Sequence, residues 1–208
     1  MDASDLDHRR HWDEAYVQKG EAGVSWFEET PTVSLYLIKA LSGPKDSLID
    51  VGGGASRLAA HALRLRFGHV AVLDLSAEAI ARSQAAMGSE ADRVEWIVAN
   101  VTTWKPGRRY DVWHDRAAFH FLTDEADRAA YVETLDAALS DTGHAIIATF
   151  ALDGPERCSG LPVQRYSPET LAATLGPRFT LVNSMRHEHQ TPLGSTQAFK
   201  FSVLARVS

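Results

Sequence analysis

The stretch Leu48-Ile49-Asp50-Val51-Gly52-Gly53-Gly54-Ala55-Ser56 constrains the fold more than any other part of the chain. A short apolar run breaks into glycines and resumes at helical period, with Leu58, Ala62 and Leu65 on one face. That pattern reads as a buried strand turning tightly into a crossover helix. Glycines at such a turn let a ligand approach the backbone where no Cβ intrudes, beside the free N–H groups that open the helix. The next apolar run, Val70-Ala71-Val72-Leu73-Asp74, ends on a carboxylate. In doubly wound sheets a ribose lies at that position.

The alternation continues down the chain. Val94 to Val98 and Tyr110 to His114 read as third and fourth strands. Thr123 reads as the cap of a helix carrying Tyr131, Leu135 and Leu139, and Asp141-Thr142-Gly143 as a turn before a fifth strand, His144 to Phe150. Ser76 with Glu78, and Ser167-Pro168-Glu169, have the residue order of helix starts. Two β-rich segments then follow without a helix between them, Phe179 to Met185 and Ala198 to Val207. The turn-prone Thr191-Pro192-Leu193-Gly194 joins them, as in an antiparallel pair at a sheet edge. The expected fold is α/β: a doubly wound, Rossmann-like seven-stranded sheet of five parallel strands plus an antiparallel C-terminal pair, with helices on both faces.

Ahead of the sheet, residues 8–19 and the segment after Thr30-Pro31 (Val33, Leu37, Ile38, Leu41) read as helices, divided by the aromatic cluster Val24-Ser25-Trp26-Phe27. No repeat or Pro/Gly linker splits the 208 residues, so a single domain over 1–208 is expected, with a helical N-terminal lid at 1–43 and a core at 44–208. The formal net charge of −6 argues against a nucleic-acid partner, which needs clustered Lys and Arg. One cysteine, Cys158, excludes an intrachain disulfide and suits a reducing compartment. The acidic start Met1-Asp2-Ala3-Ser4-Asp5 is not that of a signal peptide, and no apolar run approaches the ~20 residues of a membrane span. A cytoplasmic protein without a membrane partner is expected.

Two ligand classes share the glycine turn. The dinucleotide pattern wants a third glycine where Arg57 stands, and Asp50 would repel a pyrophosphate. A nicotinamide-dependent oxidoreductase is therefore the poorer reading, and a cationic ligand the better one. Asp50-Val51-Gly52-Gly53-Gly54 followed by Asp74 resembles the glycine-rich first motif and ribose-binding acid of class I S-adenosylmethionine-dependent methyltransferases, over about residues 45–206. The donor's sulfonium and ammonium groups match the carboxylate at Asp50. The resemblance implies cofactor contacts from Asp50, the backbone of Gly52, Gly53 and Gly54, and Ser56. It puts ribose hydroxyls on Asp74 with Leu75 beside it, adenine near Asn100 and Val101, and S-adenosylhomocysteine as product. Ser56 replaces a third glycine common in the family, and Asn100 replaces a common Asp.

In that family the end of the fourth strand, here Trp113 to Phe121, faces the acceptor. Asp115, a candidate both for catalysis and for the cofactor, is expected to pair with Arg116. His114 and His120 are candidate bases near neutral pH, set against their reading as hydrogen-bonded core histidines. His11-Trp12-Asp13-Glu14-Ala15-Tyr16, with Trp26-Phe27 beyond it, resembles the lid of some elongation-factor lysine methyltransferases and related bacterial enzymes. Trp12, Tyr16 and Trp26 either close over the sulfonium in a cation–π arrangement or pin the N-terminal helices to the sheet, and both readings stay open. Cys158 to Val163 reads as an irregular acceptor-lining loop. The two histidines of His187-Glu188-His189 are taken to point to opposite faces, and no metal site is expected. The expected activity is transfer of the S-adenosylmethionine methyl group to a nucleophilic small-molecule acceptor. Methylation of a protein lysine, and a regulatory module that binds the cofactor without turnover, are the alternatives.

Overall fold

The computed structural model describes residues 3–19, 24–192 and 194–207. Met1, Asp2 and Leu193 of the expected turn lie outside the described residues. Two helices, α1 (Ala3–Lys19) and α2 (Thr32–Leu41), precede β1 (Ser47–Val51), α3 (Leu58–Arg64), β2 (His69–Asp74), α4 (Ala77–Met87), β3 (Glu95–Val98) and β4 (Tyr110–Arg116). After β4 come α5 (Glu125–Ala138), β5 (Leu139–Phe150), a two-residue hairpin of β6 (Arg157–Cys158) and β7 (Leu161–Pro162), α6 (Pro168–Leu175), β8 (Phe179–Gln190) and β9 (Thr196–Arg206).

The main sheet has seven strands in the order β3-β2-β1-β4-β5-β9-β8. The first five are parallel, and β9 runs antiparallel to both of its neighbours. Strand order reverses between β1 and β4, and the crevice beyond the carboxyl ends of strands at such a switch point is where doubly wound folds bind ligands. Gly52 and Ala117 leave the sheet side by side at that point.

Side-chain alternation divides the interior into two layers. Leu48, Val70, Val72, Val112, Ile146 and Ala148 pack against α2 and α3, while Ile49, Val51, Ala71, Trp113, Ala145 and Ile147 pack against α5 and α6. Helices thus cover both faces. The second layer is tied by a buried relay in which Trp113 Nε1 donates to Tyr131 Oη at 2.8 Å and Tyr131 Oη donates to Asp115 Oδ2 at 2.7 Å.

Several local features differ from the sequence reading. Asp124, not Thr123, caps α5, because its carboxylate accepts from Ala126 N at 2.8 Å. Leu139 ends that helix and already starts β5, so Asp141-Thr142-Gly143 lies within the strand; pairing with β4 absorbs it by a register shift between Tyr110 and Val112. Cys158 to Val163 is not irregular, since β6 and β7 make a small antiparallel sheet with Cys158 buried in the α2/α3 layer. Ser76 and Ser167 do cap α4 and α6, the latter with a full capping box to Thr170.

Candidate cofactor and acceptor site

The Gly52–Gly54 turn is shaped by what a side chain would strike. Gly52 has φ +66°, its N–H donates to Leu73 O at 2.7 Å, and a Cβ there would stand 2.7 Å from the Ala118 Cβ. A Cβ at Gly53 would stand 2.5 Å from Asp50 Oδ2, and one at Gly54 2.7 Å from Asp74 Oδ2. Glycine is therefore required for close approach to both carboxylates, and at Gly52 for the backbone as well. Ser56 Oγ accepts from Leu58 N at 3.0 Å and starts α3.

Asp50 is buried, with Oδ1 2.7 Å from His114 Nδ1 and no partner for Oδ2 among the described residues. His114 sits opposite Asp50 in the β1–β4 register, and its Nε2 lies 2.9 Å from Ser34 Oγ on α2. The histidine thus bridges the motif carboxylate to the N-terminal helix pair. It is a positioning group rather than an exposed base. Asp74 ends β2 and accepts from Ser76 N at 2.8 Å. Burial, reinforced by Asp50 and Asp13, pushes its carboxyl up to about 7.

Helix α1 docks over this turn. Asp13 Oδ1 accepts from Ser76 Oγ at 2.6 Å and from Glu78 N at 3.3 Å, which adds a second carboxylate to the positive end of α4. Trp26 Nε1 donates to Tyr16 Oη at 3.2 Å, and Trp12 meets Trp26 and Phe121 edge-on at 5.7 and 4.9 Å. The structure therefore brings the three expected aromatics together. Tyr16, Trp26, Phe27, Glu28, Ser34, Asp50, Gly52, Gly53, Ser56, His114 and Arg116 are among the walls of a cleft, and Trp12 is not. Leu75, Asn100 and Val101 stand outside that cleft at the β2 and β3 ends, which Ala99 N ties to Asp74 O at 3.0 Å. Asn100 Oδ1 already accepts from Thr102 N and Oγ1, both at 3.0 Å, so the side chain holds a turn. An adenine amino group would meet an oxygen carrying two hydrogen bonds.

The three candidate catalytic residues are not assembled. Asp115 points to the opposite face from His114, as neighbours on a strand must. It accepts from Tyr131 Oη, Ala118 N and Phe119 N and so fixes the turn after β4; burial raises its carboxyl to about 6. It does not pair with Arg116, which donates to Trp26 O at 2.8 Å and lies 3.1 Å from Glu28 Oε1. His120 is fully buried, edge-on to Phe121 at 4.5 Å and tilted against Phe150 at 4.8 Å, and neither ring nitrogen has a partner among the described residues. Burial drives it down to about 3, so it stays neutral and is a poor base near pH 7.

Sequence reasoning missed Glu28, Ser34 and Arg116 as cleft residues, and it misplaced His187 and His189. Residues two apart on a strand share a face. Both rings accordingly lie on the same side of β8 and approach Glu28, at 3.6 Å for His187 Nε2 and 3.1 Å for His189 Nδ1. That period of two was the available signal. Nothing local pointed to Glu28, which meets His189 across 161 positions of sequence.

A buried carboxylate with one oxygen unpartnered among the described residues beside a glycine turn, and a second acid at the end of the next strand, form the arrangement expected of a donor site for S-adenosylmethionine. Residues 49–145, from β1 into β5, match the family model described as a methyltransferase domain. A comparison with curated protein sequences returns no match. Among solved structures, an S-adenosylmethionine-dependent methyltransferase from Anabaena variabilis superposes with a TM-score of 0.79 at 15% identity, covering 100% of this chain and 96% of that chain. The 1,6-didemethyltoxoflavin-N1-methyltransferase of Burkholderia thailandensis, with bound 1,6-didemethyltoxoflavin and S-adenosylhomocysteine, gives 0.76 at 22% identity over 100% and 92%. N-methyltransferase NodS from Bradyrhizobium japonicum gives 0.68 at 14% identity over 98% and 100%. At these identities the likeness is one of fold. Among the described residues no helix is long and apolar enough to cross a membrane.

Proposed function

We propose that this chain is a class I S-adenosylmethionine-dependent methyltransferase acting on a small-molecule nucleophile that enters the cleft from the Trp26–Glu28–Arg116 side. The observation that carries the donor half is the unpartnered Oδ2 of buried Asp50, aimed at the glycine turn. A buried carboxylate oxygen left bare is costly unless a donor or cation meets it, and the ammonium group of S-adenosylmethionine suits it. Asp74 takes the ribose hydroxyls, and Ser56 and the Gly52–Gly54 backbone line the path between the two acids. Residues 1–43 act as a lid over a core of 44–208, with Tyr16 and Trp26 excluding water from the cation. The cleft's walls of aromatics and one Arg–Glu pair support a small acceptor. The Burkholderia enzyme of the same fold has 1,6-didemethyltoxoflavin and S-adenosylhomocysteine bound.

When bound, S-adenosylmethionine supplies an electrophilic methyl group on a leaving group that needs no protonation. The chain's own work is alignment. His114 and Ser34 hold Asp50 in place, Asp50 and Asp74 fix the two ends of the donor, and Arg116 with Glu28 presents a polar wall to the acceptor. Neither His120 nor Asp115 lines the cleft, so neither serves the acceptor as a base. Calorimetry with S-adenosylhomocysteine and NADH, followed by a screen of small heterocycles and amines with radiolabelled donor, tests the reading. Tight binding of NADH alone would overturn the donor assignment, and label transferred to protein lysines alone would overturn the acceptor class.

A further inference from the structure

We propose that Glu28, His187 and His189 form a binding site for a divalent transition metal of the Zn²⁺ class. The two histidines share the inward face of β8, where their rings pack on Phe201 and Phe199 at 6.3 and 6.2 Å, and Glu28 reaches them from the segment before α2. One ligand atom from each residue falls within a sphere of contact in which all lie within 4.8 Å of one another. Glu28 Oε1 is 3.1 Å from His189 Nδ1 and 3.6 Å from His187 Nε2. A tetrahedral ion with bonds of ~2.0–2.1 Å holds its ligands about 3.3 Å apart, between those two separations.

The hydrogen bonding of His189 sharpens the case. Its Nε2 lies 2.8 Å from Ser25 O, which can only accept, so that nitrogen carries a hydrogen. In the neutral ring Nδ1 then turns a lone pair toward a carboxylate oxygen at 3.1 Å, and two acceptors at that distance repel unless a cation lies between them. An N–H donated to a backbone carbonyl is the arrangement that orients metal-bound imidazoles. The rival occupant is a proton on Nδ1, which would make an imidazolium–carboxylate pair. Arg116 Nη2 approaches the same oxygen, Glu28 Oε1, at 3.1 Å, so an ion seated between the histidines would share Oε1 with the guanidinium or turn the carboxylate to offer Oε2; Arg116 is otherwise anchored on Trp26 O and over the Phe199 ring, 5.4 Å from its centroid. A carboxylate has acceptor sites enough to serve a guanidinium and an ion at once. His189 is buried, and Glu28 also walls the donor cleft, so a metal held here ties the segment 24–28 to the edge strand at the cleft's margin. Three protein ligands leave a fourth position for water or an acceptor atom. The site stands on these three residues alone and does not depend on the acceptor assignment.

The test uses untagged, EDTA-stripped full-length protein and ZnCl₂. Wild type should retain one equivalent of zinc through gel filtration by elemental analysis and gain melting temperature with it. His189→Gln and His187→Gln should each bind zinc ~100-fold more weakly and lose the thermal gain. Either variant suffices if the other fails to fold by circular dichroism. The proposal is overturned if wild type retains no more zinc than the double variant. It is also overturned if zinc leaves the wild-type melting temperature unchanged while Glu28→Gln alters only its pH dependence, which is the mark of the ion pair.

Discussion

If Asp74 takes the ribose as proposed, its environment should make cofactor affinity depend on pH. Burial is the largest influence on this carboxyl, and Asp50 and Asp13 add repulsion; together they lift it to about 7 against hydrogen bonds from Ser76 and Gly54 that act the other way. Only the ionised carboxylate can accept from both ribose hydroxyls. Below its pKa, binding must first remove a proton, and apparent affinity falls towards tenfold per pH unit. Between pH 8 and pH 6 the ionised fraction drops from roughly nine-tenths to one-tenth, a loss of about tenfold or ~1.4 kcal/mol. The suitable probe is 5′-methylthioadenosine, which keeps the donor's ribose and adenine but lacks its ammonium and carboxylate groups, so the ligand does not titrate in this window. Calorimetry from pH 5.5 to 8.5 should show affinity rising and levelling above about pH 8. Asp74→Asn should bind ~1.5–3 kcal/mol more weakly at pH 8, with a flat profile, since a charge-assisted pair of bonds is lost. Asp13→Asn should move the wild-type midpoint down. A flat wild-type profile, or an Asp74→Asn variant that binds as well as wild type, would refute both the protonation argument and the ribose assignment.

Asp115 is raised by burial from 3.8 to about 6, so it contributes stability that is fully present below about pH 3.8 and lost as pH rises through about 6. The urea stability of wild type relative to Asp115→Asn should fall by ~3 kcal/mol across that window, and a constant difference would show that the native carboxyl ionises normally. Gly53→Ala places a Cβ 2.5 Å from Asp50 Oδ2 without forcing a positive φ, so it should weaken S-adenosylhomocysteine binding by displacing that carboxylate and lower the melting temperature less than Gly52→Ala does. Gly52→Ala combines φ +66° with a 2.7 Å approach to Ala118 and should cost ~1–3 kcal/mol of stability; melts and calorimetry on the two variants separate these effects. Removing residues 1–28 should leave a sheet core that melts cooperatively but gains little from S-adenosylhomocysteine. Early melting or aggregation would instead assign Trp12, Tyr16 and Trp26 to pinning helices, and an unchanged melt with full ligand stabilisation would exclude both roles.

The elements and the glycine motif were legible along the chain, because both are written in short-range physics. Short, continuous apolar runs rich in β-branched residues and bounded by turn signals mark Leu48–Val51 and Val70–Asp74 as buried strands, and three glycines at a strand end need no tertiary information to read as a ligand turn. The antiparallel pair at the C-terminus was legible for the same reason, and the period that places His187 and His189 on one face was there as well. What sequence could not supply was who meets whom across the sheet. Asp50 finds His114 because β1 and β4 are neighbours in the order β3-β2-β1-β4-β5-β9-β8, a relation spanning 64 positions that no local pattern encodes. The fate of Asp115 and His120 was settled by what packs on them: Tyr131 from α5 claims the first, and the Phe121 and Phe150 rings strip water from the second. Glu28 becomes a partner of Arg116 and His189 only when the chain before α2 lies against β8. Backbone preference acts over a few residues and is readable along the chain. Desolvation and pairing act through space, so protonation, partners and access to the cleft were decided only when the layers closed.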